Sequence, residues 1–364
     1  MRSGFTLGRY LTLQFLSSII VVLMICMGII FLADLVELIR RTAKSTDLSF
    51  GTLSGMALLH VPSVSQKALP FAVLFGALWT FLRLTRNQEL VVARTSGVSV
   101  WGFLAPALLV GLALGIFTMT IYNPIAASMF TRYEHLKAKH IRGQVSLLSV
   151  SSSGLWLRQV NKYGPSVINA QRALEGGALL EDVTIYLYDA SDHYAGRLDA
   201  KSARLEGANW QLTDVRRTVR GKPTDHIDTM DHPTPLTVER IQESFAPPET
   251  LSFWALPGFI QLLEESGFSA VRHRLYWHAI MSLPLLLCAM VIIAAAFSLR
   301  EHKFGGLTLL IGGCVLAGFG FYILSDIVLA LGLSGAIPPM PAAWLPAAIA
   351  SLIGVAALFH IEDG

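Results

Sequence analysis

The sequence predicts an α-helical polytopic membrane protein with six spans and one inserted all-β, jellyroll-like domain, and composition is the first reason. Hydrophobic residues make up 53% of the 364 residues, charged residues only 15%, and the mean hydropathy is +0.54. In soluble domains roughly a quarter of the residues are charged. The charge is also concentrated, since residues 131–272 hold 16 of the 28 Lys and Arg and 17 of the 25 Asp and Glu. A soluble globule, a disordered chain and a disulfide scaffold are therefore excluded.

Six stretches are long and apolar enough to cross a bilayer, which takes about 20 such residues in a helix. They lie at roughly 10–39, 56–84, 101–124, 275–298, 305–329 and 342–360. The first is expected to be a retained helix, because its apolar body from Leu11 to Leu38 is too long for a signal peptide. The predicted domains are residues 1–130 with spans one to three, an insert at 131–272, and residues 273–364 with spans four to six.

The basic residues of the short connections predict that both termini are cytoplasmic, because Lys and Arg accumulate on that side of membrane proteins. With an inner N-terminus, seven of them lie inside: Arg2, Arg9, Arg83, Arg86, Arg94, Arg300 and Lys303. Three lie outside: Arg40, Arg41 and Lys44. The insert at 131–272 is then expected outside the cytoplasm.

Within the insert the hydrophobic pattern changes to a period of two. Apolar and polar side chains alternate or nearly alternate at 154–160, 183–188 and 210–215, and Gly, Asn and Asp separate such runs. This pattern is typical of half-buried strands and predicts an antiparallel sandwich or roll. One short helix is expected from Pro257 to about Glu265.

The sequence motifs of common enzymes are missing. There is no G-x-x-x-x-G-K-[ST] phosphate loop, no H-E-x-x-H, no C-x-x-C and no G-x-S-x-G. His273 and His278 are five residues apart, so a helix does not pair them on one face as metal ligands. The net charge of +3 is too small to indicate a nucleic-acid partner. We expect no catalytic residue, no metal site and no cofactor.

Four ionisable residues lie within the predicted spans: Asp34, Glu37, Lys67 and Asp326. A charge at the centre of a bilayer costs about 2.5–3.5 kcal/mol on insertion scales, so such groups usually line a protein interior or a wet cavity. The alternative is that each lies near an interface and extends its charged end into water. Both interpretations remain open at this point.

Arg40 and Arg41 form a basic doublet at the outer end of span one, against the usual charge bias. The doublet indicates either an anionic ligand at the outer leaflet or ordinary interfacial anchoring. On the cytoplasmic side, residues 83–97 contain a short amphipathic pattern that includes Glu89, Leu90 and Arg94. That pattern predicts either a helix lying on the membrane surface or a docking surface for a cytoplasmic partner.

Several blocks of sequence follow one another in an order that a known family shares. They are Arg9-Tyr-Leu11, Leu69-Pro70, Gly76-Ala-Leu78, Glu89-Leu-Val-Val-Ala-Arg-Thr-Ser-Gly97, Gly154-Leu-Trp156, Phe321-Tyr322, Leu331-Gly-Leu-Ser-Gly-Ala-Ile-Pro-Pro339 and Ala343-Trp-Leu-Pro346. These blocks resemble the LptF/LptG permeases of lipopolysaccharide export, and the last two are more similar to the LptG branch. The resemblance extends over both membrane halves and includes six spans with a β insert after the third.

The resemblance implies a non-catalytic permease subunit of an ABC exporter in the bacterial inner membrane. Such a chain pairs with an LptF-like paralogous permease, rests on an LptB-like ATPase dimer and works with an LptC-like protein. It extracts lipopolysaccharide from the outer leaflet and passes it to a periplasmic bridge through a periplasmic jellyroll-like domain. ATP is hydrolysed by the separate subunit, which would account for the missing phosphate loop.

Particular residues acquire roles by the same resemblance. A coupling helix is expected at about 87–96, with Glu89, Leu90 and Arg94 as contacts to the ATPase. Arg40 and Arg41 are expected to bind lipopolysaccharide phosphates. Family members can carry a lysine one to two turns before this doublet, where the present chain has Asp34. Lys67 is the candidate that would supply the missing positive charge.

Two other classes of protein remain as alternatives. An ion-coupled secondary transporter would use Asp34, Glu37 or Asp326 as a proton relay, although the two halves show no internal repeat of the kind common in transporters. A membrane-anchored periplasmic binding or assembly protein would use the β insert as its functional part. Dependence on ATP or on a proton gradient separates the first alternative from an ABC exporter.

Overall fold

The structure, a computed structural model, describes most of the chain. The described residues are 2–42, 49–89, 100–142, 148–151, 154–161, 164–174, 177–189, 193–219, 223–234, 236–237, 241, 246–265, 268–299 and 307–362. The chain divides into two compact units. The helical unit comprises Met1–Leu136, Glu249–Trp254 and Arg274–Gly364, and the β unit comprises Lys137–Pro248 and Ala255–His273.

Helices account for both membrane halves. They are α1 (Arg2–Thr42), α2 (Phe50–Arg86), α3 (Val100–Phe117), α4 (Asn123–Lys137), α5 (Leu256–Glu265), α6 (Val271–Leu299), α7 (Leu307–Leu333) and α8 (Pro339–Glu362). Among the described residues, six helical segments are long and apolar enough to cross a membrane: Gly8–Thr42, Phe50–Arg86, Trp101–His140, Val271–Ser298, Gly312–Leu333 and Pro339–His360. Each of the six predicted stretches coincides with one of them, which confirms the fold class.

The third span is longer than its apolar stretch. A π-helical turn, Thr118–Tyr122, joins α3 to α4, and a second π-helical turn, Ala138–Arg142, follows α4. The helical run therefore continues well past residue 124, where the apolar stretch ends. Hydropathy marks only the part of a helix that lies in hydrocarbon, so it underestimates a helix that continues into water.

Two glycines allow helices in the helical unit to pack closely. A Cβ added at Gly76 of α2 would lie 2.7 Å from the Cα of Ile19 in α1. A Cβ added at Gly115 of α3 would collide with the backbone of Pro284 in α6. Because only a hydrogen atom fits at either position, the two backbones meet directly, as small residues permit in membrane helices.

The β unit contains one antiparallel sheet of seven described strands. They are β1 (Leu148–Ser151), β2 (Gly154–Asn161), β3 (Gly164–Leu174), β4 (Leu179–Tyr188), β5 (Tyr194–Glu206), β6 (Asn209–Val219) and β7 (Asp225–Pro233). The three predicted strands coincide with β2, β4 and β6. Each described strand pairs with its neighbours in sequence, so they form a meander rather than the two Greek keys of a standard jelly roll. Short connections between consecutive strands favour this order.

One face of the sheet is buried, as the alternating pattern predicts. Trp210, Leu212 and Val215 of β6 are inaccessible, and so is Ile185 of β4. The predicted short helix is α5, which has its apolar residues Leu256, Ile260 and Leu263 buried at helical spacing and lies against β1. These contacts give the β unit an apolar core of its own.

Candidate functional site

The basic doublet lies in the last turn of α1 and converges on one carboxylate. Glu37 accepts a forked pair of hydrogen bonds from Arg40, with Nε–Oε2 at 2.9 Å and Nη2–Oε1 at 3.0 Å. Arg41 Nε donates to the same Glu37 Oε1 at 2.6 Å. Positions i+3 and i+4 both lie above position i on a helix, so one carboxylate reaches both guanidinium groups. The side chains of Arg40 and Arg41 remain 76% and 58% exposed, so both cations are accessible to a ligand.

Lys67 lies on α2 in a separate charge cluster. Its Nζ is 3.7 Å from Oε1 of Glu249. The lysine side chain is 69% exposed, whereas that of Glu249 is only 21% exposed. Within the described residues, therefore, the three expected phosphate-binding cations belong to two clusters, each with its own carboxylate.

Glu249 begins a short segment, Glu249–Trp254, that returns from the insert to the helical unit. Three hydrogen bonds fix this segment to the third helical run. Asn123 Oδ1 accepts from the Phe253 amide at 2.7 Å, and Thr131 Oγ1 donates to the Thr250 carbonyl at 3.0 Å. Trp254 Nε1 donates to the carbonyl of Thr120, which lies in the π-helical turn, at 3.3 Å. The Thr120 carbonyl of the π-helical turn thus accepts a hydrogen bond from a side chain that lies outside the helix.

A polar network lies beside Lys67. The Asn123 side-chain amide donates to Gln66 Oε1 at 3.4 Å and to the Tyr276 hydroxyl at 3.3 Å. Gln66 Nε2 is buried without a hydrogen-bond partner among the described residues. Gln66, Lys67, Glu249 and Tyr276, with apolar residues of α6, line a cavity of about 110 Å³. In the sequence this network is visible only as polar residues within apolar spans. That pattern does not show which of these residues form hydrogen bonds with one another.

Asp34 pairs with a histidine that the sequence did not single out. His60 Nδ1 of α2 lies 2.7 Å from Asp34 Oδ2 of α1. The imidazole stacks on Tyr133 at 4.5 Å between ring centroids and on Phe130 at 5.6 Å, both on α4. One half-buried pair thus connects three helical segments, and Asp34 has a structural partner within its own chain.

The remaining candidates are more isolated. Asp326 lies exposed on α7. Glu89 follows the end of α2, and its Oε1 accepts a 3.2 Å hydrogen bond from Nδ2 of the Asn87 side chain. The backbone turns sharply between them, since Gln88 has a φ of +61°. Leu90, Arg94 and most of the expected coupling helix at 87–96 lie outside the described residues.

The described histidines have contacts other than metal coordination. Among the residues that the structure describes, no group of three His, Cys, Asp or Glu side chains is arranged to hold a metal ion. His273 Nε2 instead lies 3.1 Å from the Ala246 carbonyl, within the β unit. The arrangement of the described residues thus offers accessible cations beside apolar helices, which is suited to binding amphipathic anions.

Comparison with known proteins decides the family. The family model described as "Lipopolysaccharide export system permease LptF/LptG" matches residues 9–360. The chain belongs to the LptF/LptG family. The resemblance inferred from the sequence blocks is thereby confirmed.

Among curated relatives in the LptF/LptG family, the chain is similar to two proteins named "Lipopolysaccharide export system permease protein LptG". It is 28% identical over 355 residues to that of Haemophilus influenzae, which covers 94% of both chains. It is 25% identical over 357 residues to that of Escherichia coli K12, which covers 96% of both chains. The expected similarity to the LptG branch is confirmed. The family match over residues 9–360 includes the six predicted apolar stretches and the β insert.

Proposed function

We propose that this chain is the LptG-like permease subunit of an ABC exporter that extracts lipopolysaccharide from the outer leaflet of the bacterial inner membrane. Membership of the LptF/LptG family over residues 9–360 is the observation that carries the proposal. In this role the chain pairs with an LptF-like permease, couples to an LptB-like ATPase dimer and passes lipid to an LptC-like protein. ATP is hydrolysed by the ATPase, and this chain supplies the path.

The positions of the cations along their helices support a site for lipid phosphates. With Arg9 and Arg83 at the cytoplasmic surface and both termini inside, distances follow from the helical rise of about 1.5 Å per residue. Arg40 then lies about 46 Å along α1 from Arg9, beyond a hydrocarbon layer about 30 Å thick. Lys67 lies about 24 Å along α2 from Arg83, within reach of the outer boundary. Both clusters are therefore placed for the headgroup of an outer-leaflet lipid.

The β unit supports the next step of the proposed path. In this topology it lies in the periplasm, and the described strands β1 and β7 are the two ends of the sheet order. A sheet end offers unpaired backbone groups to which another sheet can add. The LptC-like protein and the partner permease are the proteins expected to use these edges.

The experiment is to purify the chain by affinity from its own membranes and then to reconstitute the complex with lipopolysaccharide. We expect an LptF-like permease and a dimeric ATPase in stoichiometric amounts, and transfer of lipopolysaccharide to a soluble periplasmic acceptor that requires ATP hydrolysis. A hydrolysis-deficient ATPase is the matched control. A chain that purifies alone, and whose transport stops with a protonophore but ignores ATP, would instead be a secondary transporter.

A further inference from the structure

Lys67 and Glu249 form an asymmetric ion pair in which only the lysine is free to move. The pair is loose, with 3.7 Å between Nζ and Oε1, and the lysine side chain is 69% exposed. Exposed pairs of this kind contribute little to stability, because water screens the charges and long side chains lose freedom when they are held. The ammonium group is therefore easily transferred to another anion.

Glu249, by contrast, is held in place. The next residue, Thr250, is bonded through its carbonyl to Thr131, and the Phe253 amide is bonded to Asn123 at 2.7 Å. With its side chain only 21% exposed, the carboxylate of Glu249 has little space to withdraw. Any anion that binds Lys67 must consequently compete with the Glu249 carboxylate for the ammonium group.

The cavity beside the pair indicates what kind of anion fits. Its wall on α6 is formed by Ala279, Ile280 and Leu283, and hydrocarbon surface predominates over polar surface. A charged amine next to an apolar wall suits an amphipathic ligand, with an anionic group at the amine and an acyl chain along the wall. The shared chemistry is that of an acidic acyl lipid, whether lipopolysaccharide or an anionic phospholipid.

We propose that Glu249 makes the Lys67 site selective for lipids with strongly charged phosphate groups, an inference that rests on the proposed function. A phosphate monoester carries a charge of about −1.5 to −2 and three acceptor oxygens, so it displaces a carboxylate from an ammonium group. A phosphodiester headgroup carries about one negative charge, and it gains nothing over the carboxylate already present. Glu249 thus weakens binding of every anionic lipid, and it excludes the weakly charged ones.

The test measures lipid labelling in the complete complex, with Ala279 replaced by a photo-crosslinking amino acid in nanodiscs that contain either lipopolysaccharide or phosphatidylglycerol. Glu249→Gln should increase lipopolysaccharide labelling about two- to five-fold, the size expected for one surface charge pair. It should also introduce phosphatidylglycerol labelling. Lys67→Gln should lower labelling, and the double variant should behave as Lys67→Gln alone.

Opposite signs for the two single variants distinguish selectivity from a structural role. If the pair only fastened Glu249–Trp254 to α2, both changes would lower labelling and complex recovery alike, which would overturn the proposal. Equal labelling of the unsubstituted complex by both lipids, or no effect of Glu249→Gln, would overturn it too. Glu206→Gln, at the exposed end of β5, removes the same charge and should change nothing. Failure of ATP-dependent transfer by the unsubstituted complex would count against the proposed function, independently of these comparisons.

Discussion

His60 Nδ1 of α2 lies 2.7 Å from Asp34 Oδ2 of α1, so a polar contact joins these two helices. The imidazole is nearly parallel to the ring of Tyr133, with an angle of 8° between the planes. A hydrogen bond to a charged group in a half-buried place contributes more than an exposed ion pair. The pair therefore fixes the ends of two helices that carry the candidate cations.

We predict that Asp34→Asn and His60→Gln each lower the melting temperature of the purified complex, and that the double variant lowers it no further than the worse single variant. A bond shared by two residues is lost only once, so their coupling should be about 1–2 kcal/mol. The measurement is thermal unfolding of the complex in nanodiscs. Ser54→Ala, on an exposed face of α2, is the control. Additive effects would show that the two residues act independently.

A second prediction concerns close packing between α3 and α6. Gly115→Ala should reduce folded complex, because the added methyl group would collide with the Pro284 backbone, which cannot move aside as a flexible side chain can. Overpacking of this kind costs about 1–3 kcal/mol. Gly28→Ala on α1 is matched in chemistry, yet its added Cβ meets no atom within 4 Å. We expect Gly28→Ala to leave thermal stability unchanged or raised. Equal effects of both substitutions would contradict the packing argument.

A third prediction concerns coupling to the ATPase. Glu89→Lys should release the LptB-like ATPase while the pair of permeases stays intact, because reversing one member of a charge pair at an interface leaves the partner's charge opposed. Co-purification of the three subunits is the measurement. Asn87→Ala removes the hydrogen bond that Glu89 accepts within the chain, so it serves as the control for a purely local role. Full retention of the ATPase by Glu89→Lys would refute the docking assignment.

A fourth prediction concerns the pH dependence of the β unit. Burial lowers the pKa of His232 below its ordinary value of 6.5. The folded state then binds this proton less readily than the unfolded state, so the free energy of unfolding falls as the pH decreases from about 6.5 towards the lowered pKa. Hydrogen exchange of β6 and β7 in the intact complex should accelerate between pH 7.5 and 5.5, after correction for intrinsic rates.

His232→Gln should flatten that dependence, since the substituted side chain does not titrate. His193→Gln removes a histidine whose side chain is 80% exposed and should retain the pH response of the unsubstituted chain. If both variants show the same slope as the unsubstituted chain, another group in the β unit is responsible.

Local patterns were sufficient to predict most of the fold. The apolar length of each span and the two-residue alternation at Val183–Tyr188 are properties of consecutive residues, and the helices and strand β4 follow them. The extension of the third helical run was not predicted, because residues after Asn123 alternate between buried contacts and solvent and carry no hydrophobic run. Sequence order alone also gave no sign that the described strands form a meander.

The contacts at the candidate site depend on packing between distant segments. Asp34 and Lys67 stand out as charges in apolar stretches, but their partners, His60 and Glu249, are 26 and 182 residues away. The sequence assigned Glu249 to the insert, whereas the structure groups it with the helices. A side chain's partner is set by the tertiary fold, so a single sequence identifies the charge and leaves its counterion open.

The last prediction tests the doublet on α1 as a phosphate-binding site. Arg40→Glu and Arg41→Glu should each reduce lipopolysaccharide crosslinking and export several-fold, because they place a second carboxylate beside Glu37 where a phosphate is expected to bind. Arg→Lys at either position should be milder, since the charge remains and only the planar fork is lost. Glu37→Gln keeps both cations and frees them from their shared partner, so crosslinking should not fall below that of the unsubstituted complex.

Ordinary anchoring of the helix predicts a different outcome, in which charge reversal of Arg40 or Arg41 lowers the amount of protein or alters its topology. The comparison must therefore use folded complexes of equal abundance, and full crosslinking and export by both reversed variants would exclude the doublet as the phosphate site.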